Sequence, residues 1–275
     1  MKVENDDDRK KMQKIIDNLV EWAKKWAMQF NVTKCKILHV GRKNPKYEYF
    51  MDGVKIEEDD EEKDLGVWVD TTMKPSKQCA AAAKAANFAL GQMQRAFHYR
   101  SKKNLVPIYK TFIRPKLECA VAAWNPWMEG DRKTLERVQE RLIRLLSDAK
   151  GKTYEEKLKD VGLTTLTERR ERGDAIEAFK TLNGFNQVDK TQWFEVEDEG
   201  QRPTRQNVVI TEEGERRKKN VLKVKTARLE IRKNFFNVRA ANIWNKIPDE
   251  VREKKSVNGF KMAYDGWKMK KPNDV

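Results

Sequence analysis

Apolar residues near the start of the chain recur at the three- and four-residue spacing of an amphipathic helix. Asp8 stands where a helix-capping side chain is expected. We therefore predict a helix that begins near Asp8, ends before Phe30 and packs through its tryptophan face. The apolar positions of this helix are Met12, Ile15, Ile16, Leu19, Trp22, Ala23 and Trp26.

Between residues 31 and 70 the pattern changes to short runs that are typical of strands. The runs CKILHV, YEYFM and LGVWV are separated by turn signals, among them Asp52-Gly53. They predict a small antiparallel sheet with hairpins. The acidic run EEDDEEKD at 57–64 resembles a carboxylate metal cluster, but it lacks a regular pattern, and we predict a solvated loop.

Beyond residue 75 the helical spacing returns in four segments. They are residues 75–97, the segment from Ser101 to just before Pro115, residues 131–146 and residues 165–182. The second segment should turn Leu105, Ile108, Tyr109 and Phe112 inward. In the third, one seam is formed by Leu135, Val138, Leu142 and Leu145, and a row of Arg137, Arg141 and Arg144 runs beside it.

These patterns predict an α+β protein that is predominantly α-helical. A helix and a small sheet occupy residues 1–74, and a helical domain occupies residues 75–185. Residues 186–220 mix charges with glycine and proline, which is typical of a linker. A basic helical unit fills residues 221–275. There VLKVKTARL predicts a strand, and three helices are predicted to follow it: one that runs from Phe235 to Trp244, a short one begun by Pro248 and a last one capped by Ser256.

The charge of the chain favours a polyanionic partner. Lys and Arg number 58 against 43 Asp and Glu, which gives a net charge of +15 and a pI near 9.6. The surplus is concentrated in residues 202–275, with about eleven excess positive charges. A lysine-rich surface that only maintains solubility is the alternative interpretation.

Cysteines and histidines give no sign of a metal site. Cys35, Cys79 and Cys119 are widely spaced, which favours reduced thiols, and neither His39 nor His98 has a cysteine at zinc-ligand spacing. No apolar run is long enough to cross a membrane, and the start lacks a secretory signal. We predict an intracellular protein without a membrane partner, either cytoplasmic or nuclear, since ERRKK at 215–219 is a weak nuclear signal.

The order of several motifs resembles a known family. NVTKCKILHVG at 31–41, KDLGVWVD at 63–70 and YKTFIRPKLECAVAAWNP at 109–126 are similar to the region downstream of the catalytic strands in non-LTR retrotransposon (LINE, jockey-like) reverse transcriptases. ERVQERLIRLL, GLTTLTERRERGD and RKNFFNVRAANIWNKIPDEV resemble the C-terminal extension of those elements. The resemblance implies a palm remnant over residues 1–74, a thumb-like domain over 75–185 and a C-terminal domain.

The resemblance also implies a set of nucleic-acid-binding residues. Lys34 or Lys36 would be the palm lysine that helps to protonate pyrophosphate, and Leu65, Gly66 and Val67 would form the hairpin that grips the primer end. The thumb, which lies along template and primer, would contribute Lys110, Arg114, Arg137, Arg141 and Arg144.

Each of these assignments has a structural alternative. A lysine on a strand is often only surface charge, and Gly66 could be a glycine at a β-bulge. The arginine row could be neutralised on its own helix by Glu136 and Glu140. The eight tryptophans could stack on bases, but most lie on helical seams and favour a core role.

The carboxylates of a polymerase centre are not among these motifs. In the family, two divalent ions, Mg in the complete enzyme, are held by carboxylates on two earlier strands. Asp6, Asp7 and Asp8 instead align with the acidic helix start that follows the missing pair, where negative charge is favourable. We therefore predict no catalytic residues, no bound metal or cofactor, and no polymerase activity from this chain alone.

The leading hypothesis is a truncated segment of a retroelement RNA-directed DNA polymerase that binds RNA or an RNA/DNA hybrid, chiefly through phosphates. The alternative is a non-catalytic helical scaffold for protein interaction, or a relic without function. Self-association is also expected through the surface where the absent part of the palm would pack. A third hypothesis has a partner chain supply the catalytic strands.

Overall fold

Helices form most of the structure, a computed structural model, and the strands occur in a few two-stranded sheets. The predicted class, α+β and predominantly α-helical, is confirmed. The structure describes residues 2–41, 43–146, 151–196, 208–210, 216–218 and 221–270. The chain divides into two compact units, residues 1–78 and residues 79–275.

The first unit begins with helix α1, Asp6–Lys25. Its cap is Asn5, whose side chain accepts a hydrogen bond of 2.9 Å from the backbone N–H of Asp8. The prediction that Asp8 is the cap was wrong by three residues. Asp8 instead lies with Asp6 and Asp7 in the first turn, where the positive end of the helix dipole stabilises carboxylates.

The prediction that α1 packs through its tryptophan face was also wrong. The core of this unit, formed by Tyr49, Met51 and Ile56, is covered by Met12, Ile16, Val20 and other side chains. Trp22 and Trp26 remain 51% and 63% exposed. The physical reason is that the apolar stripe of α1 is wider than the small core beneath it. The core side chains cover only the edge of the stripe that carries Met12, Ile16 and Val20.

Six short strands complete the first unit as three separate pairs. β2 with β3 and β5 with β6 are antiparallel, whereas β1 with β4 is parallel, so the predicted single antiparallel sheet is replaced by pairs. The Asp52-Gly53 hairpin is confirmed between β2 and β3. The strands are β1 Lys36–Leu38, β2 Phe50–Met51, β3 Val54–Lys55, β4 Glu57–Asp59, β5 Glu61–Asp64 and β6 Val67–Asp70.

The acidic run at 57–64 forms strands β4 and β5, so the prediction of a loop there was wrong. Its backbone groups pair with β1 and β6, which satisfies hydrogen bonds that a loop would leave to water. Two of its carboxylates are also neutralised, Glu57 by Lys36 and Glu61 by Lys77. Pairing and neutralisation together outweigh the low strand propensity of acidic residues.

Helices follow in close succession after β6. They are α2 Ser76–Ala96, α3 Lys102–Ile108, α4 Arg114–Glu118, α5 Val121–Trp124, α6 Glu129–Leu146, α7 Tyr154–Asp160, α8 Leu166–Leu182, α9 Lys190–Trp193, α10 Glu230–Lys233, α11 Phe236–Trp244, α12 Asp249–Arg252 and α13 Val257–Lys270. A π-helical stretch, Tyr109–Ile113, joins α3 to α4. Strands β7, Val208–Ile210, and β8, Arg216–Lys218, pair antiparallel in the segment predicted as a linker.

The helix predicted to end before Pro115 continues through it. Pro115 lies in the first turn of α4, where a missing N–H breaks no helical hydrogen bond. The π-helical turn adds a residue and rotates the buried face. As a result Ile113 is buried, and Phe112, which was predicted to point inward, is exposed.

The predicted ends of α8 are confirmed. Thr165 caps the helix in a capping box with Glu168, and Asn183 and Gly184 end it, with Gly184 at a positive φ of 72°. On α6 the predicted seam is confirmed at Leu135, Val138 and Leu142, and Ile143 is buried beside it. Leu145, predicted in that seam, is only partly buried.

Helix α8 shares one core with the C-terminal helices. Phe179 of α8 stacks on Phe260 of α13 with ring centroids 4.4 Å apart, and Trp244 of α11 packs on Phe260. Ser256 caps α13 through a hydrogen bond from the Gly259 N–H, as predicted. The predicted strand VLKVKTARL is reduced, in the part of the chain described, to one bridge between Val196 and Leu222.

A buried ion pair fixes this arrangement. Asp174 of α8 is fully buried and accepts two hydrogen bonds from the Arg239 guanidinium on α11, at 2.9 and 3.0 Å, and a third from the Asn125 amide at 2.9 Å. Arg239 also donates to the carbonyls of Ala122 and Asn234. One carboxylate therefore joins α8 to α11 and to the segment around α5.

We predict that Asp174→Asn lowers the free energy of unfolding by about 3–5 kcal/mol, because the buried guanidinium of Arg239 loses its counter-charge. Urea denaturation checks this. The matched control is Asp265→Asn, which breaks a bidentate pair with Arg172 in a partly exposed place and should cost less than about 1 kcal/mol. Equal losses in the two variants would contradict this account.

Candidate nucleic-acid interface

The arginine row of α6 is the predicted binding element that lies on one regular helix. Arg137, Arg141 and Arg144 are all exposed, at the spacing that places them along one face of the helix. The sequence alone could not tell whether Glu136 and Glu140 neutralise this row. The structure treats the two glutamates differently.

Glu136 is turned into the protein and away from the arginines. Its carboxylate accepts hydrogen bonds from the Tyr154 hydroxyl at 2.6 Å and from the backbone N–H of Leu166 at 3.0 Å. The Leu166 N–H lies in the first turn of α8, where backbone N–H groups have no hydrogen-bond partner within the helix, and Glu136 supplies that partner. Burial raises the pKa of Glu136, and the hydrogen bonds from Tyr154 and Leu166 oppose that rise.

A buried polar network holds Glu136 in this position. Gln139, one helical turn further on, is fully buried, accepts from the Tyr109 hydroxyl at 2.8 Å and donates to the Thr164 carbonyl at 2.9 Å. Burial raises the pKa values of Tyr109 and Tyr154, so both hydroxyls stay protonated and can donate. The network therefore keeps one acidic side chain of α6 out of the arginine row.

The three arginines differ in their partners. The Arg137 side chain makes no hydrogen bond or ion pair with any residue that the structure describes. Arg141 donates to the neutral Asn87 side chain on α2 at 2.8 Å, and Arg144 lies 3.5 Å from Glu140. Among the described residues, self-neutralisation therefore applies to Arg144 alone, and no described carboxylate compensates the charges of Arg137 and Arg141.

Arg114 and Lys110 are arranged differently from the row. Arg114 is largely buried, 3.7 Å from Glu118, and burial lowers its pKa. Glu118 is in turn held by the guanidinium of Arg169 on α8. Arg114 thus belongs to a packed ionic cluster between helices, and Lys110 is half-buried in the π-helical stretch.

In the first unit, the two candidate lysines have different surroundings. Lys36, on β1, is ion-paired with Glu57, its register partner on β4. That contact raises the pKa of Lys36 and lowers the pKa of Glu57. Lys34 is exposed at the end of a 3-10 turn, Val32–Lys34, so it is the more accessible of the two for a phosphate.

Leu65, Gly66 and Val67 lie at the tip of the β5–β6 hairpin. The register Asp64↔Val67 leaves Leu65 and Gly66 as a two-residue turn, with φ values of 44° and 90°, so Gly66 is in a turn and not a bulge. Leu65 is 98% exposed in a left-handed conformation that costs an ordinary side chain about 1–2 kcal/mol. The hairpin tip is therefore strained, apolar and accessible to solvent.

One basic region escaped the sequence patterns used above. Residues 71–117 contain ten Lys and Arg but no Asp or Glu. Within the second unit, its exposed side chains include Lys84, Phe88, Arg95, Arg100, Lys102 and Lys103. The absence of acidic residues over so long a stretch is a signal that a search for motifs passes over and a charge plot would find.

The acidic strands of the first unit form a different surface. An open polar depression of about 410 Å³ is lined by His39, Lys46, Glu58, Asp59, Asp60 and Thr71. Within the described ranges, no three His, Cys, Asp or Glu side chains are placed to hold a metal ion together. The three cysteines are free, and burial raises the pKa of Cys79 to about 12.

Comparisons with known proteins found no similar protein. No family model matches the chain, and no curated protein and no solved structure matches it either. The resemblance to non-LTR reverse transcriptases therefore stays a prediction based on the motifs quoted above. Among the described helices, none is long and apolar enough to cross a membrane.

The raised pKa of Glu136 predicts a pH effect. Because the folded state holds its proton more tightly than the unfolded state, the cost of burying the carboxylate is greatest at neutral pH. That cost is relieved as the pH falls through the raised pKa towards the ordinary value of 4.5. Thermal unfolding followed from pH 7 down to pH 4 should show the wild type gaining stability relative to Glu136→Gln. An unchanged difference would contradict the burial of this charge.

Proposed function

We propose that the chain binds RNA or an RNA/DNA hybrid through the phosphate backbone. The observation that carries this proposal is the arginine row of α6, where Glu136 is withdrawn into the protein and Arg137 and Arg141 have no acidic partner among the described residues. Guanidinium groups match phosphate geometry and release counterions when they bind a polyanion.

The proposed binding is to the phosphate backbone of the nucleic acid, with little preference for its base sequence. Phosphate contacts position a nucleic acid but carry no base information. Other predicted contacts are Lys34 and the hairpin tip at Leu65 and Gly66 in the first unit, both exposed. Lys36 and Arg114 are less suitable because carboxylates already lie beside them.

The polymerase interpretation is retained only as a proposal about origin. The motifs resemble a segment of an RNA-directed DNA polymerase downstream of its catalytic strands, and in the complete family enzyme Mg acts at carboxylates on those strands. We propose that this chain contributes nucleic-acid binding, and that nucleotidyl transfer would need catalytic strands from another source.

We predict that Arg137→Ala/Arg141→Ala/Arg144→Ala weakens binding to a labelled RNA/DNA hybrid about 10- to 100-fold, because several charge-assisted contacts to phosphate are lost. Fluorescence anisotropy at low, fixed salt measures this. The control is Lys246→Ala/Lys254→Ala/Lys255→Ala, which removes the same number of exposed positive charges elsewhere. It should weaken binding by no more than about threefold, since only the long-range field changes.

Equal effects of the two triple variants would mean that net charge alone attracts the hybrid. Absence of binding by the folded wild type would refute the proposal.

A second candidate function, a self-associating interaction scaffold, is favoured by the apolar face of α1. Ile15, Leu19, Trp22 and Trp26 recur on one side of the helix and are each at least 46% exposed. Apolar side chains that are contiguous on a surface mark interfaces more often than isolated ones do. A second copy of the chain could cover this face.

We predict that Trp22→Ser/Trp26→Ser shifts the protein towards the monomer, because burying the two indoles would drive association. Sedimentation velocity over a micromolar concentration series measures the shift. Met262→Ser/Met269→Ser is the control, since both methionines are strongly exposed on α13. A wild type that is monomeric throughout the series would rule out self-association through α1.

A further inference from the structure

The segment between α2 and α3 combines aromatic and basic side chains in an unusual way. We refer to residues 95–103, with the sequence RAFHYRSKK, as the 95–103 segment. Arg95, Arg100, Lys102 and Lys103 are exposed, and so is Tyr99, at 78%. No other large aromatic side chain in the part of the chain described is as exposed as Tyr99.

The positive charges of this segment are not compensated nearby. Its nearest acidic residues along the chain are Asp70 and Glu118. Arg95, Arg100 and Lys103 make no ion pair with another described residue. Lys102 Nζ lies 3.4 Å from the Asp160 carbonyl oxygen, and the Asp160 carboxylate is already paired with Lys152 at 2.6 Å. The segment therefore presents a locally positive surface that an anion can neutralise.

The exposed ring of Tyr99 favours a single-stranded nucleic acid over a duplex as the anion that binds here. Its ring is 78% exposed and has no aromatic or cation–π contact among the described side chains, so the ring is accessible to a ligand. Unpaired bases stack on exposed aromatic rings while their phosphates contact neighbouring cations. In a duplex the base faces are already stacked and only phosphates are presented. The combination of free ring and free cations fits a single strand best.

The position of the segment connects it to the arginine row. Asn87, which accepts from Arg141, lies eight residues before Arg95 on the same helix, α2. Eight residues of α-helix span about 12 Å. A stacked strand advances about 3.4 Å per nucleotide, so about four nucleotides cover that distance. A strand of about four nucleotides is therefore long enough to cover the distance along α2 between Asn87 and Arg95.

We infer that the 95–103 segment binds unpaired nucleotides, with one base stacked on Tyr99 and the flanking phosphates held by Arg95, Arg100 and Lys103. This inference rests on the proposed function and adds its ligand class. A nucleic acid with a single-stranded extension beside a duplex is preferred over a fully paired one.

The test compares two labelled RNA/DNA hybrids, one blunt and one with about eight unpaired nucleotides, by fluorescence anisotropy. The wild type should bind the extended hybrid more tightly. Tyr99→Ala should lose about tenfold in affinity for the extended hybrid, as expected for one stacked base, and less than about twofold for the blunt one. Tyr99→Phe keeps the ring and should match the wild type.

The outcomes separate this inference from the proposed function. If the arginine-row variant weakens binding of both hybrids while Tyr99→Ala affects them equally or not at all, only the stacking inference is overturned. If the wild type binds neither hybrid, both the stacking inference and the proposed function are overturned. Binding of polyglutamate as tightly as the extended hybrid, without an effect of Tyr99→Ala, would assign the segment to an acidic protein and overturn the inference.

Discussion

The buried pair between Asp174 and Arg239 supports the surface on which the proposed function depends. Helix α8 contacts α5, α6, α11 and α13, and its one fully buried carboxylate is satisfied only by groups from elsewhere in the chain. An isolated charge in that place would cost several kcal/mol. With α8 fixed, the N–H of Leu166 is held for Glu136, and Glu136 is kept away from the arginine row.

Local pattern predicted the elements whose signals are local. The start of α8 near residue 165 and its end after residue 182 depend only on neighbouring residues, and both were predicted. Which apolar residues of α1 become buried depends on the size of the core around Tyr49, which is too small to cover the whole apolar face of the helix. The strand pairing of residues 57–64 depends on partners up to 21 positions away, such as Lys36 for Glu57, which no local pattern contains.

In the candidate site, too, some features depend on neighbouring residues and could be predicted, whereas others depend on residues far along the chain. Spacing alone placed Arg137, Arg141 and Arg144 on one face of a helix, but it could not distinguish Glu136 from Glu140 as partners. That difference comes from Tyr154 and the N–H of Leu166, which lie 18 and 30 residues further along the chain. The resemblance supplied further candidates, and the structure divides them physically into paired cations, such as Lys36, and exposed ones, such as Lys34.

The central claim is that unpaired cations of this chain hold the phosphate backbone. The most direct measurement is the affinity of the wild type for the RNA/DNA hybrid across a series of salt concentrations. Log affinity should fall linearly with log salt, with a slope of about −3 or steeper, as expected when three or more phosphates are neutralised. Binding with a slope near zero would contradict the account, since contacts other than those to phosphate would then hold the nucleic acid.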